Sequence, residues 1–346
     1  MSDNNQKGVV KMSDTKDTMP FVELTAAEVS NIWSSYLMNS MEQRLLEYFF
    51  ASTEDSEIKQ VIEKMLHQSR KNIDDLKEIF IKDKLTVPLG FTDEDVRFDR
   101  PKVFSDSFIL HFCFDLTHLA MSTYPVALSD CSRTDARNHF QENIAFSVKI
   151  QNEITDLMLS QGVYLKSPQL EIDTQVEFAD SMIYFNGFFG GSRPLNAPEI
   201  ANLSRIIHRA QFSKMVFVTF SKLAKTKELK QHFSKGRDGI EKVLDSLQEV
   251  FENENIPISS SGDYKVYHAE MSPFSDKLML FFVNTCLGIF CFAMISQALT
   301  SSLRTDVISK LSKISDDMKR FYGMGLLLAI KEKWFEQPPQ AVDRKV

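Results

Sequence analysis

The feature that most restricts this chain is that it repeats itself. Leu24-Thr25-Ala26-Ala27-Glu28-Val29 lies over Leu195-Asn196-Ala197-Pro198-Glu199-Ile200 at an offset of 171 residues (199 − 28). The same offset pairs Leu76, Ile79 and Phe80 with Leu247, Val250 and Phe251. Phe104-Ser105-Asp106 meets Phe274-Ser275-Asp276 at 170, Arg133-Thr134-Asp135 meets Arg304-Thr305-Asp306 at 171 again, and Pro168 meets Pro339. A register that slips by one residue and then recovers marks two copies of one unit with a loop difference between them. At 346 residues, each copy has enough chain to bury a core of its own.

Each copy contains four stretches of helical periodicity. The first opens on Thr25-x-x-Glu28, a capping box, with Leu24 and Val29 placed for a hydrophobic staple. The second copy repeats the device with Leu195, Asn196, Glu199 and Ile200, and puts Pro198 in the first turn, where no hydrogen-bond donor is lost. Ile58, Ile62, Met65, Ser69, Ile73, Leu76 and Phe80 form an apolar stripe on the second helix. Val307, Leu311, Ile314, Met318, Phe321, Gly325 and Leu328 do so on the last, at the seam spacing of a bundle. Longer crossovers, Thr86–Val103 and Pro257–Pro273, separate helices two and three, and the other connections are short. The pattern predicts an all-α chain of two tandem antiparallel four-helix bundles. The first spans 21–168 and the second 195–337, with a polar tail at 1–20, a linker at 169–194 and a second tail at 338–346.

Composition removes several functions. Net charge is −7 and pI about 5.6, so there is no basic footprint for nucleic acid. The four cysteines, Cys113, Cys131, Cys286 and Cys291, form no C-x-x-C pair and read as free thiols of a reducing compartment. No apolar signal region opens the chain, and the expected location is the cytoplasm. Residues 278–303 carry no charged side chain and are long enough to span a membrane. Their counterpart in the first copy holds His111, Asp115 and His118. An ionised Asp at mid-span costs roughly 2.5–3.5 kcal/mol, so a buried bundle helix is expected and no transmembrane segment.

Candidate sites are sparse. Neither copy contains the Glu-x-x-His of a carboxylate-bridged di-iron bundle. His111, Asp115 and His118 share a helix face at i, i+4 and i+7, and two imidazoles with a carboxylate are a transition-metal donor set. The second copy offers Phe281, Thr285 and Gly288 there, which favours a hydrogen-bonded face over a metal. The glycines and Arg193 of 185–194 could cradle an anion at a helix start, but without a preceding strand they read as a packed linker. Thr92-Asp93-Glu94-Asp95 lacks the order of a calcium loop and reads as solvated. With no serine elbow and no activated thiol, neither an enzyme nor a cofactor is expected.

Six motifs carry a family resemblance: Leu24-Thr25-Ala26-Ala27-Glu28, Gly90-Phe91-Thr92-Asp93-Glu94-Asp95-Val96, Phe104-Ser105-Asp106, Gly187-Phe188-Phe189-Gly190 with Arg193-Pro194-Leu195-Asn196, Ser272-Pro273-Phe274-Ser275-Asp276-Lys277-Leu278, and Glu336-Gln337-Pro338-Pro339-Gln340. Through them the chain resembles a family of tandem-bundle proteins of unknown function from endospore-forming bacteria, some provisionally labelled spore coat proteins. The resemblance covers nearly the whole chain after the tail. It implies a ferritin-like fold and brings no catalytic residues. The expectation is a non-enzymatic structural or interaction protein associated with sporulation or the spore coat, with room for protein partners or self-association. The alternative is a ferritin-like protein that binds a metal through His111, Asp115 and His118, or a small ligand in an apolar cavity between Phe-rich helices.

Overall fold

The structure is a computed structural model describing residues 22–171, 175, 178–179, 182–186, 193–260 and 264–341. Two copies of a four-helix unit follow each other. The first holds α1 (Ala26–Ser52), α2 (Ser56–Lys82), α3 (Asp106–Ser129) and α4 (Thr134–Ser160). The second holds α5 (Ala197–Leu223), α6 (Lys227–Asn253), α7 (Asp276–Ser301) and α8 (Thr305–Lys331). Corresponding starts differ by 171, 171, 170 and 171, as the repeat requires.

Both capping boxes form. Thr25 and Asn196 accept from the backbone N–H of Glu28 and Glu199, whose carboxylates accept in return. The four helices that end in a longer loop stop alike. Leu85, Val163, Ile256 and Trp334 donate back to the carbonyls of Phe80, Met158, Phe251 and Ala329, and the residue before each is left-handed: Lys84, Gly162, Asn255 and Lys333. Each such apolar residue returns the chain onto its bundle.

The register slip has a structural cause. The crossover is one residue shorter in the second copy, and the residue regained afterwards is absorbed within α7 itself. Residues Phe282–Leu287 wind as a π-helix, the form that an inserted residue takes inside an α-helix. The recovery is therefore a helical bulge rather than a loop difference.

The copies are joined through their crossovers by a local two-fold. Val96 bridges Phe274 and Phe104 bridges Val266. Arg97 N–H donates to the Pro273 carbonyl (2.8 Å), and Tyr267 N–H to that of Val103 (3.0 Å). Adding 170 to the first-copy residue of one pair gives the second-copy residue of the other (Val96 to Val266, Phe104 to Phe274), so the contact is self-complementary, as in a symmetric dimer. Phe112 and Phe282, themselves equivalent, meet ring to ring at 4.8 Å. One apolar core consequently runs through both copies, from Met41 and Phe49 to Phe282 and Leu311. Tyr48, Phe104, Phe112, Phe220 and Phe274 are buried within it.

α7 is, among the described residues, the helix long and apolar enough to cross a membrane, with mean hydropathy 2.3 over its most apolar window. Slightly more than half of that window, 56%, is buried against its neighbours. Leu278, Leu280, Val283, Leu287 and Ala298 are enclosed, as in a core helix. Of the acidic segment, Thr92, Asp93 and Glu94 are exposed, as expected of a solvated loop, and Asp95 departs from that reading. Asp95 is buried and accepts from the Ser275 hydroxyl at 2.6 Å, while Asp93 pairs with Arg44. Asp95 ties the segment to the crossover contact, since its backbone carbonyl also accepts from the Ser275 N–H at 2.9 Å.

Candidate functional site

The repeated charged residues hold loops. Glu28 lies fully inside and accepts from the backbone N–H of Thr25 (2.7 Å), Ser132 (2.8 Å) and Arg133 (2.8 Å). Burial alone would raise its pKa, but these hydrogen bonds outweigh it and hold the carboxyl at about 2. Glu199 does the same for Asn196, Leu303 and Arg304, and is also clamped by both terminal nitrogens of Arg193. Arg133 and Arg304 each reach the Asp two residues on, and Asp83 or Glu254 beyond the second helix. Asp106 and Asp276 each accept two N–H groups from the turn between the first two helices. All of these groups serve the fold. Arg193 also lies over the Tyr184 ring at 4.2 Å, so its charge is spent on Glu199 and not on an external anion. Gly187 to Gly191 lie outside the described residues.

His111, Asp115 and His118 face the second copy, where an interface claims them. Asp115 pairs with Arg209 of α5, and both are buried, 8% and 6% exposed. The Arg209 guanidinium also lies over Phe290, at 4.4 Å. His111 Nδ1–H donates to the Ser107 carbonyl (2.9 Å), and the ring meets Tyr264 edge-on. His118 Nε2 accepts from the Gln151 amide (3.2 Å), and burial, with the charge of Arg205, holds its pKa down at about 4. Among the described residues, no three His, Cys, Asp or Glu side chains are grouped to hold a metal. The three line a gap of about 230 Å³ between the copies, together with Arg205, His208 and Met294.

The two bundle interiors differ more than their outlines. The first is crossed by a polar layer. Asn39 donates to the Ser35 carbonyl (2.8 Å) and to Tyr124 (3.2 Å), and Asn72 donates to Asn39 (2.9 Å). Gln68 donates to Asn72 (3.0 Å) and Asn143 (3.3 Å), and Ser69 to the Asn39 carbonyl (2.9 Å). Buried amides demand such partners. The layer leaves space of about 20 Å³, enough for one water, and isolates a smaller apolar core around Trp33, Leu76 and Phe140. Glu42 sits half-buried beside it, and burial pushes its carboxyl up to about 7.

In the second copy, 171 residues on, Asn39, Gln68, Ser69, Asn72 and Asn143 become Ala210, Gly239, Ile240, Val243 and Ile314. The network vanishes and a chamber of about 770 Å³ opens. Met65 has become Gly236, against which the Phe217 ring packs so closely that a Cβ there would overlap it. A Cβ on Gly239 would meet nothing within 4 Å. The α8 seam is present, but it splits in two. Val307 and Leu311 are buried away from it, Ile314 is buried at its edge, and Met318, Phe321 and Leu328 line the chamber. Beyond them α8 leaves Met324, Leu327 and Ile330 at 60%, 60% and 52% exposure.

The chamber wall is largely apolar, with charged side chains gathered at its exposed opening. His232 is 7% exposed, stacks on Phe321 (4.3 Å, 6° between planes), and its Nε2 has no hydrogen-bond partner. Burial and the nearby Lys235 charge hold its pKa down at about 4, so the ring is neutral near pH 7. Cys291, Tyr322 and Arg209 lie along the wall. In the cores burial disfavours the thiolate, pushing Cys113 and Cys286 far up and Cys131 to about 11.

The sequence matches the family described as Protein of unknown function (DUF3231) twice, over residues 16–176 and 184–346. The chain belongs to that family. The two DUF3231 segments coincide with the two bundles. No functionally curated protein matches the sequence. A crystal structure from Bacillus halodurans C-125, described provisionally as that of a spore coat protein, is 19% identical over 44% of this chain and 98% of that one. Its TM-score is 0.40.

Proposed function

We propose that this DUF3231 protein is a non-enzymatic binding protein, in which the first copy is a filled, hydrogen-bonded scaffold and the second receives a small apolar ligand. The chamber carries this reading. Its volume of about 770 Å³ falls within the roughly 300–1,000 Å³ of pockets that take small molecules, and its wall is largely apolar with charged groups at the opening. The repeated carboxylates and guanidinia support the non-enzymatic part, because their hydrogen bonds go to loops of the protein itself. Nile red, a neutral dye that brightens in apolar surroundings, tests it. The protein should bind the dye, and Gly239→Leu, which fills the chamber, should remove binding, whereas Gln68→Leu at the equivalent place in the first copy should not. Dye binding untouched by Gly239→Leu would refute the assignment.

Association with the spore is a separate part of the proposal and rests on the resemblance in the motifs. A tagged copy followed through sporulation should become deposited on the spore. A diffuse signal confined to vegetative cells would exclude that role.

A further inference from the structure

We infer that the chamber takes a single-chain amphiphile with a carboxylate head, its tail between α6 and the C-terminal half of α8 and its head at His232 and Lys235. The inference rests on the proposed binding role and specifies its ligand. His232 Nε2 is a polar atom enclosed among apolar walls with no protein partner, and such atoms are costly unless a ligand or water satisfies them. Its ring stacks on Phe321 at 4.3 Å and Nε2 is closed to solvent, so a carboxylate reaches it by shifting the stacked pair. Lys235 stands one helical turn further along the same face of α6 and lines the chamber.

Charge around the opening has a sign. Lys235, Lys242, Arg320 and Lys331 line it, against Glu228, Asp238 and Asp317. Asp238 is taken by Arg237 (2.7 Å), Asp317 faces Arg320 (4.0 Å) and Lys331 faces Glu332 (3.8 Å), which leaves Lys235 and Lys242 against Glu228. A carboxylate there accepts from the neutral imidazole N–H and from an ammonium, the charge-assisted arrangement that binds anions best. A quaternary ammonium would be repelled by Lys235 and would offer the imidazole no acceptor. Behind the head, Ile206, Ile240, Val243, Met318 and Leu328 accommodate an alkyl chain, and the exposed Met324 and Leu327 flank its way in. The first copy cannot do this, because its equivalent of His232 is Val61 and its interior is occupied by the amide layer.

The experiment displaces bound Nile red from the full chain with dodecanoate, dodecan-1-ol and dodecyltrimethylammonium, which share a tail and differ in the head. Dodecanoate should displace the dye at about tenfold lower concentration than the other two, the worth of one charge-assisted contact. His232→Leu and Lys235→Met should each reduce that advantage, read as the ratio of dodecanoate to dodecan-1-ol displacement within each variant. Longer acids should compete about fourfold better per added methylene until the chamber is full. Equal displacement by all three, or an advantage that survives both substitutions, overturns the inference and leaves the chamber as a general apolar site. No dye binding by the unmodified protein overturns the binding role itself. The headgroup series is read on the unmodified chain, so the result does not depend on either variant folding.

Discussion

Arg209 and Asp115 tie the copies together by a pair that can be taken apart one side at a time. The residues that the repeat places at the reciprocal positions are Met38 (209 − 171) and Thr285 (115 + 170). Arg209→Met strands a carboxylate that is 8% exposed beside Phe114 and Phe212, and removing one partner of a buried pair costs about 3–5 kcal/mol. Asp115→Thr strands the guanidinium instead. Arg209 keeps the Phe290 face at 4.4 Å, worth about 2 kcal/mol when desolvated, so this loss is expected at about 2–3 kcal/mol. The double variant strands neither charge and installs the residues already tolerated across the two-fold. It should lie within about 2 kcal/mol of the parent, since buried pairs are often replaced at little cost. Urea unfolding of the four proteins closes a double-mutant cycle. A coupling energy of about 3–8 kcal/mol follows, the two single losses summed less the loss of the double variant. A value below about 1 kcal/mol, with both single losses small, would refute a buried, desolvated pair and with it the way the copies are docked here.

Glu42 and Glu28 predict opposite responses to pH. The Glu42 carboxyl is raised from 4.5 to about 7, so the folded state prefers its protonated form. Its contribution is full below about pH 4.5 and declines as pH rises towards 7, by about 1–3 kcal/mol for a half-buried group. Glu42→Gln should flatten that decline in urea melts at pH 5 and 8, and parallel losses in both proteins would count against it. Glu28 is lowered to about 2, so its contribution of about 3 kcal/mol is present above pH 4.5 and fades as pH falls towards 2. Glu28→Gln should remove this acid sensitivity, and acid melts that stay superimposable on the parent's would refute the role of the carboxylate. On α8, Gly323→Ala should stabilise by up to about 1 kcal/mol, because its Cβ would enter open space. Gly325→Ala should cost about 1–3 kcal/mol, because its Cβ would overlap the Asn284 side chain. Thermal melting separates the two, and equal shifts would contradict the close approach of α7 and α8.

The helices were readable because their signals are local. Thr25 with Glu28, and Asn196 with Glu199, announce two helix starts, and the stripe from Ile58 to Phe80 is buried as its spacing requires. What those glutamates also do was not readable. Each joins its helix start to a loop about a hundred residues away, and only the recurrence of Arg133-Thr134-Asp135 at Arg304 hinted at it. The His111, Asp115 and His118 face was visible as a face, but its partner, Arg209, lies in the other copy and follows from docking alone. The chamber left a trace that could have been found. Comparing the copies position by position shows amides at Asn39, Gln68, Asn72 and Asn143 giving way to Ala210, Gly239, Val243 and Ile314. Reading the repeat for its likenesses, and not for these differences, hid it. The bulge in α7 had a weaker signal, since the recovered offset fits a loop as well as a helix.

The self-complementary seam between the crossovers has a consequence for how the halves could drift apart in sequence. A pair of separate identical subunits must take every substitution on both sides of its axis at once, and its assembly weakens on dilution. Linked in one polypeptide, each side mutates alone and its neighbour is always at hand. Removing amides from one interior then need not cost the amides of the other. The intact half can carry the stability that a hollowed half gives up.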